Sequence, residues 1–459
     1  MVFSSILFLF RFLPVTFLVY YLAPKKIKNL VLLIASLIFY SWGEVRYFPV
    51  MLVSILVNYA AGIGIDHFRG NKAKCRLLLI ISIIFSVGWL AFFKYSDFVL
   101  QNINLLFGTA IPYLKLTLPL GISFYTFQIM TYTIDIYFGK CQVEKNIINF
   151  GTFVVLFPQL IAGPIVKYTD ISSELRERTV TLDKVQEGTA IFIRGLASKV
   201  LLANNIGALW SEVETLGAAN ISTPLAWLGI LAFTLQIYFD FSGYSLMAIG
   251  LGKALGFTFP QNFNYPYISR SVTEFWRRWH MTLSGWFREY LYIPLGGNRV
   301  KPARMYFNLF VVWFSTGLWH GANWNFVLWG LYFFVLISIE RLFLKKYLDK
   351  FRILSHIYLI LIVIFGWVLF AITDISVVGQ YFSRLFSFTG GEDWIFYLRN
   401  YGVVLLLGAV LSTPALKKVG EMAPKKMRWL SVPITLLVFL VCVAYLVDAS
   451  YNPFLYFRF

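Results

Sequence analysis

Long uncharged apolar runs recur along the whole chain, and they constrain its fold more than any other feature. "LLLIISIIFSVGWLAFF" (77–93) and "VPITLLVFLVCVAYLV" (432–447) contain no Asp, Glu, Lys or Arg. A helix rises 1.5 Å per residue, so roughly 20 such residues cross a hydrocarbon core of about 30 Å. Hydropathy predicts spans near 2–22, 29–43, 47–65, 77–93, 116–138, 190–210, 224–252, 353–372, 400–416 and 429–448. Only 14% of residues are charged and 59% are hydrophobic, whereas a soluble domain carries about 25% charge. A soluble enzyme with a large core is excluded. The expected class is an all-α polytopic membrane protein with roughly eleven transmembrane helices. Residues 1–459 form one integral-membrane domain, with no internal repeat and no soluble module.

The net charge of +18 would suit a nucleic-acid binder if it were spread over a face. Instead, five short segments, 23–28, 66–76, 253–304, 340–352 and 417–428, hold the whole basic excess. Basic residues in alternate short loops mark the cytoplasmic side. Strict alternation then places both chain ends outside. Membrane lipid and an anionic cytoplasmic substrate are the expected partners, and nucleic acid is not. The three cysteines, Cys75, Cys141 and Cys442, form no CxxC pair, so no disulfide framework or metal site is expected. Arg11 interrupts the first apolar run and no small-residue cleavage site follows, so this run is expected to stay as the first span.

Two segments fit simple crossing poorly. In 147–166, "FPQLIAGPI" carries Pro158, Gly163 and Pro164, which break a helix. Broken backbone at membrane depth must line a cavity or be buried in protein, so a re-entrant element is predicted. In 306–344 both flanks are basic (Lys301 and Arg304; Arg341, Lys345 and Lys346), so the chain should enter and return. An inbound arm over 306–319 has 14 residues, about 21 Å. The turn "WHGAN" would then lie inside the membrane, with Gly317 and Gly321 permitting it. His320 sits in that turn beside Asn323. It is either a packed hydrogen-bonder or a proton carrier, and an intramembrane ionisable group marks a functional candidate. His67 and His356 are read as incidental. Asp135 and Asp240 fall within spans. A pairing with Arg194, Lys199 or Arg11 is expected for Asp135, and Asp240 is left open.

The segment 253–304 contains "EFWRRWHMTLSGWFREYLYIPLGGNR". A helix over 273–291 would gather Trp276, Trp279, Leu283, Trp286 and Tyr290 on one arc and Arg277, His280, Ser284 and Arg288 on another. Such a helix suits the membrane–water interface and lies in its plane. Glu274 and Arg278 stand i, i+4 and should pair. Guanidinium groups bind phosphates through paired donors, so Arg277, Arg278, Arg288 and Arg299 are candidates for a phosphate-rich ligand. The glycine turn in "PLGGNR" lies beside Arg299.

That segment, with "GLWHGANWNFVLWG" after it, resembles the membrane-bound O-acyltransferase family, in particular its bacterial alginate O-acetyltransferase-like branch. "LFPQLIAGPIVKY" (156–168), "IYFDFSGYSLMAIGLG" (237–252), "QNFNYPY" (261–267) and the terminal "NPFLYFRF" extend the likeness, and the motif-bearing core is about 116–345. The resemblance implies helices in a ring around a central funnel or tunnel. It implies acetyl-CoA as acyl donor, transfer to a hydroxyl, no metal, and His320 as the catalytic histidine, with His280 as the other recurrent one. It further implies a bacterial inner-membrane location, O-acetylation of an extracytoplasmic polysaccharide, and a separate extracytoplasmic transferase as partner. The expected site is therefore His320, His280 and Asn323 for chemistry. Trp276, Arg277, Arg278, Arg288, Tyr290 and Arg299 are expected to hold the donor. Leu246 stands where the family commonly has aspartate, so that role is absent or shifted, with Asp240 as a candidate. Two other readings stay open: D-alanyl transfer to teichoic acid from a carrier-protein thioester, and a non-enzymatic polysaccharide or lipid transporter.

Overall fold

In the computed structural model, which describes residues 2–422 and 429–448, every regular element among the described residues is helical. The terminal "NPFLYFRF" and the 423–428 part of the last basic loop lie outside the described residues. A π-turn, Phe8–Phe12, leads into α1 (Leu13–Leu22), followed by α2 (Lys28–Gly43), α3 (Phe48–His67), α4 (Lys72–Phe107) and α5 (Ile122–Tyr137). Then come α6 (Ile147–Val155), α7 (Phe157–Leu160), α8 (Tyr168–Arg176) and α9 (Leu182–Ala197). A π-turn over Ser198–Ala203 joins α9 to α10 (Asn204–Leu216), and α11 is Thr223–Ala254. The chain continues through α12 (Val272–Trp276), α13 (Met281–Phe287), α14 (Pro302–His320), α15 (Trp324–Ile339), α16 (Lys345–Lys350), α17 (Arg352–Ala371), α18 (Ile375–Phe386), α19 (Asp393–Leu411), α20 (Ala415–Met422) and α21 (Ser431–Asp448). Among the described residues, eight helices are long and apolar enough to cross a membrane, and shorter apolar helices join them. The protein is a multi-pass membrane protein.

The contacts form two compact units. The first takes the described residues up to Phe192 together with Ser245–Pro260. At its centre α5 is buried almost throughout, polar residues included. Ser82 donates to Asn58 Oδ1 at 2.6 Å and to Thr133 Oγ1 at 3.2 Å, joining α4, α3 and α5. Such bonds hold helices together where lipid supplies no hydrophobic drive. Asp135 pairs with Lys140 at 3.4 Å. Pairing was expected, but the partner is a basic residue just past the end of its own helix rather than Arg194, Lys199 or Arg11. The apolar run 77–93 is the middle of the much longer α4. Asn71 caps it by accepting from Lys74 N at 3.1 Å, and Gly108 stops it at φ 63°. Its 36 residues make a rod of about 54 Å. Leu105, Leu106 and Phe107 are exposed at its end. From within the rod, Asp97 accepts the N–H groups of Leu114 and Lys115 at 2.7 and 2.9 Å, tying the following loop back to it. The predicted break in 147–166 is present. Leu156 leaves helical geometry, Pro158 stands in the first turn of α7, and the segment is buried.

The second unit takes Ile193–Tyr244 and the described residues from Gln261 onward. Its main feature is the α14–α15 hairpin, closed by Gly321–Asn323. Gly317 and Gly330 face each other across it. A Cβ on Gly330 would collide with the Trp313 carbonyl, and one on Gly317 with that of Phe326. The helices therefore meet backbone to backbone. Two sequence expectations are corrected here. The inbound arm begins at Pro302 and not at 306, because Pro302 opens the helix at its first position. Its 19 residues measure about 28 Å, so its length alone does not hold the turn short of a full crossing. Residues 273–291 do not form one helix. The chain breaks at His280, whose φ of 43° and ψ of 53° place it in the left-handed region. The Glu274–Arg278 pair is present at 3.0 Å.

Candidate active site

His320 is the last residue of α14 and is 5% exposed. Its ring sits edge-to-face against Trp329 at 4.9 Å, Trp319 at 5.0 Å and Phe370 at 5.2 Å between centroids. Ile237, Phe241, Trp279, Trp329, Trp367 and Phe370 join it around a narrow cavity with room for about one water molecule. All of the other lining side chains are apolar or aromatic. The sequence places them on α11, α15, α17 and the break before His280, and only His320 among them was foreseen as a site residue. Their hydrophobic periodicity is that of ordinary core, so nothing in the local pattern distinguishes a cavity wall from packing.

The break in 277–280 brings the second histidine to the same cluster. His280 stacks edge-to-face on Phe241 at 4.7 Å and on Trp319 at 5.9 Å. Trp319 thus touches both imidazoles, and Phe241 touches one while lining the cavity of the other. His280 is 1% exposed. It lies outside the apolar spans, and burial pushes its pKa down to about 3, so its ring is neutral at physiological pH. Its Nδ1 lies 3.0 Å from Asn262 Oδ1. Asn262 is part of "QNFNYPY" and was not foreseen as a site residue, because its partner lies 18 residues further along the chain.

The other predicted residues divide. Asn323 caps α15: its Oδ1 accepts from Trp324 N at 2.6 Å and its Nδ2 reaches Thr373 O at 3.4 Å. Trp276 is buried in the core, with Trp313 at 5.0 Å, Phe333 at 5.0 Å and Trp329 at 5.4 Å. It forms part of the wall behind the cavity. Tyr290 stacks on Trp286 at 5.4 Å. Arg278 donates to Glu274 and, through Nη1, to Asn264 O at 3.2 Å, which commits it to bracing the break. Arg277, Arg288 and Arg299 are exposed. The predicted face that joined His280 to Arg277 and Arg288 does not exist, since His280 is buried while those arginines face outward. In "PLGGNR", Gly296 and Gly297 take φ of 107° and 53°, and Asn298 Oδ1 accepts from Tyr292 Oη at 2.6 Å and from Arg341 at 3.1 Å. Arg299 is thus carried on a stitched turn.

Asp240, left open by sequence, pairs with Lys199 at 2.6 Å, both nearly inaccessible. Lys199 sits in the π-turn after α9. Asp240 neighbours the cavity-lining Ile237 and Phe241 on α11, so the ion pair fixes that wall. Losing one member of a buried pair costs about 3–5 kcal/mol. His356 Nδ1 donates to Ser269 O over 3.1 Å, a structural contact. The described residues contain no group of three or more metal-ligating side chains.

The model of the membrane-bound O-acyltransferase family matches residues 140–383, which contain both histidines and every cavity wall. The chain belongs to that family, and it is an O-acyltransferase. It is 39% identical to the probable alginate O-acetylase AlgI of Pseudomonas putida over the full length of both chains. It is 42% identical to the Pseudomonas aeruginosa protein of the same description, over 84% of this chain and 75% of that one. The peptidoglycan O-acetyltransferase of Helicobacter pylori is 39% identical over 74% of this chain and 70% of its own.

Proposed function

We propose that this protein moves an acetyl group from cytoplasmic acetyl-CoA toward a hydroxyl of an extracytoplasmic polysaccharide, with His320 as general base. The supporting observation is the placement of His320: a buried imidazole at the end of α14, boxed by aromatic rings, opening on a cavity and sharing Trp319 with a second buried histidine. The relatives named for alginate and peptidoglycan O-acetylation favour an acetyl donor and a polysaccharide acceptor.

The reaction follows from elementary chemistry. A thioester already carries a good leaving group, so the transfer needs a base for the hydroxyl and donors for the developing oxyanion. His320 takes the hydroxyl proton as the oxygen attacks the thioester carbonyl. The carbon–sulfur bond breaks, and the imidazolium returns its proton to the departing thiolate. Asn323 Nδ2, which donates to Thr373 O over a long 3.4 Å, is assigned to the oxyanion together with backbone N–H groups. Arg277, Arg288 and Arg299 are assigned to the phosphates of CoA. They are exposed and belong to a basic segment, which suits a cytoplasmic face. A partner transferase on the outer side, itself supplying that hydroxyl, would complete delivery to the sugar.

His320→Ala should lower thioester consumption by purified protein by a factor of about 10² or more, with membrane insertion unchanged. Acetyl-CoA and a carrier-protein thioester are to be offered in parallel. CoA release that persists in the variant removes the proposed base, and turnover of the carrier-bound thioester alone would replace the donor.

A further inference from the structure

Asn262 meets the chain around His280 through both its main chain and its side chain. Its carbonyl accepts from Met281 N at 2.9 Å, and nearby Asn264 N donates to Arg278 O at 2.9 Å. The segment 262–264 therefore runs alongside 278–281 and holds His280 at its left-handed φ of 43°, a conformation that costs a non-glycine residue of the order of 1 kcal/mol. Asn262 is itself 1% exposed.

The side chain settles a further question. Asn262 Oδ1 accepts from the Thr282 backbone N–H at 3.3 Å and from Thr282 Oγ1 at 2.9 Å. A backbone N–H can only donate, so the atom facing it is the oxygen and not the amide nitrogen. The same oxygen faces His280 Nδ1 at 3.0 Å. Nδ1 must therefore carry the proton, and the lone pair of the neutral ring resides on Nε2. That nitrogen is buried and has no hydrogen-bond partner among the described residues.

We propose that Asn262 is a positioning residue of the acyltransferase: it locks His280 in the Nδ1–H tautomer, so that His280 enters the reaction as a neutral hydrogen-bond acceptor through Nε2. The group it accepts from is a hydroxyl, the acceptor chemistry of the proposed function, and the inference rests on that reading to this extent. The ionisable groups on the elements packed around His280 include Asp240 on α11, which pairs with Lys199 of the π-turn after α9, the Glu274–Arg278 pair and the exposed Arg277 at the break, and His320 at the end of α14. The low basicity of His280 comes from burial and not from any of these.

The test uses the full-length protein in lipid nanodiscs and compares Asn262→Asp with Asn262→Leu. Aspartate keeps an acceptor for Nδ1–H and for Thr282 N–H but adds a negative charge beside the ring, which favours imidazolium. The acidic limb of the kcat profile should move to higher pH by about one unit or more, with KM for the thioester within about threefold of the wild type. Leucine removes the acceptor and should lower kcat about 10-fold or more. Ring ¹⁵N chemical shifts of His280 should show Nδ1 protonated in the wild type and its tautomer populations mixed in Asn262→Leu. A wild-type pH profile in Asn262→Asp, or an Nε2–H tautomer in the wild type, overturns the proposal. The ¹⁵N reading needs no turnover, so it stands or falls separately from the acetyl-transfer assay. An inactive wild type with Nδ1 protonated would overturn the proposed function and keep the tautomer assignment.

Discussion

At the scale of single residues, burial sets the chemistry of His280. Its pKa is lowered in the folded protein to about 3, against roughly 6.5 in the unfolded chain. Below that unfolded value the unfolded state binds a proton that the native state refuses. The contribution of His280 to stability is therefore complete above pH 6.5 and declines as pH falls toward 3. Between pH 6.5 and 5 the loss should reach about 2 kcal/mol. Thermal unfolding in nanodiscs across that range should show it, and His280→Gln should flatten the dependence. The two histidines differ in how well sequence displays them. His320 stands between apolar runs and is conspicuous there, as any ionisable residue inside lipid would be. His280 sits among arginines in a polar-looking stretch, where periodicity assigns it to a basic face. Asn262, met in space through a left-handed turn, draws it inward together with the rings of Phe241 and Trp319. A local pattern carries no trace of such a partner.

The elements show the same division. The runs that became α2, α3, α11, α17 and α21 were legible because an unbroken apolar stretch in a bilayer has little choice but helix. Where the outcome depends on backbone detail, the reading falls short, as at the start of α14, the π-turn carrying Lys199 and the break between α12 and α13. The α14–α15 hairpin shows what small side chains contribute. Gly330 has no room for a Cβ because the obstacle is the Trp313 carbonyl, a backbone atom that cannot swing aside. Gly330→Val should destabilise the protein by about 2 kcal/mol or more through overpacking. Since α14 ends in His320 and α15 carries Trp329, transfer activity should fall with it. Gly88→Ala in α4 is the control, for nothing lies within 4 Å of its added carbon. Its unfolding temperature should stay level or rise slightly, as replacing a helical glycine gives. Equal losses in the two variants would show that the close approach at Gly330 has no special weight.

For the whole molecule, charge separates what faces water from what does not. The net charge of +18 is carried by a chain in which only 14% of residues are ionised, so the exposed cations of the 253–304 segment act in a strong local field. If Arg277, Arg288 and Arg299 take the phosphates of the donor, KM for acetyl-CoA should rise steeply with ionic strength. Replacing all three by glutamine should raise it about 10-fold or more at low salt and remove most of the salt dependence. A KM indifferent to both changes would place the donor elsewhere. The long rod of α4 has a separate consequence. Its roughly 54 Å exceed a bilayer core by nearly half its own length, and it ends in exposed leucines and a phenylalanine. Such a rod must lean steeply or leave its greasy tip in contact with headgroups and water, and the preferred lean depends on acyl-chain length. Stability in reconstituted bilayers should therefore vary with lipid chain length, in the direction that best covers that tip.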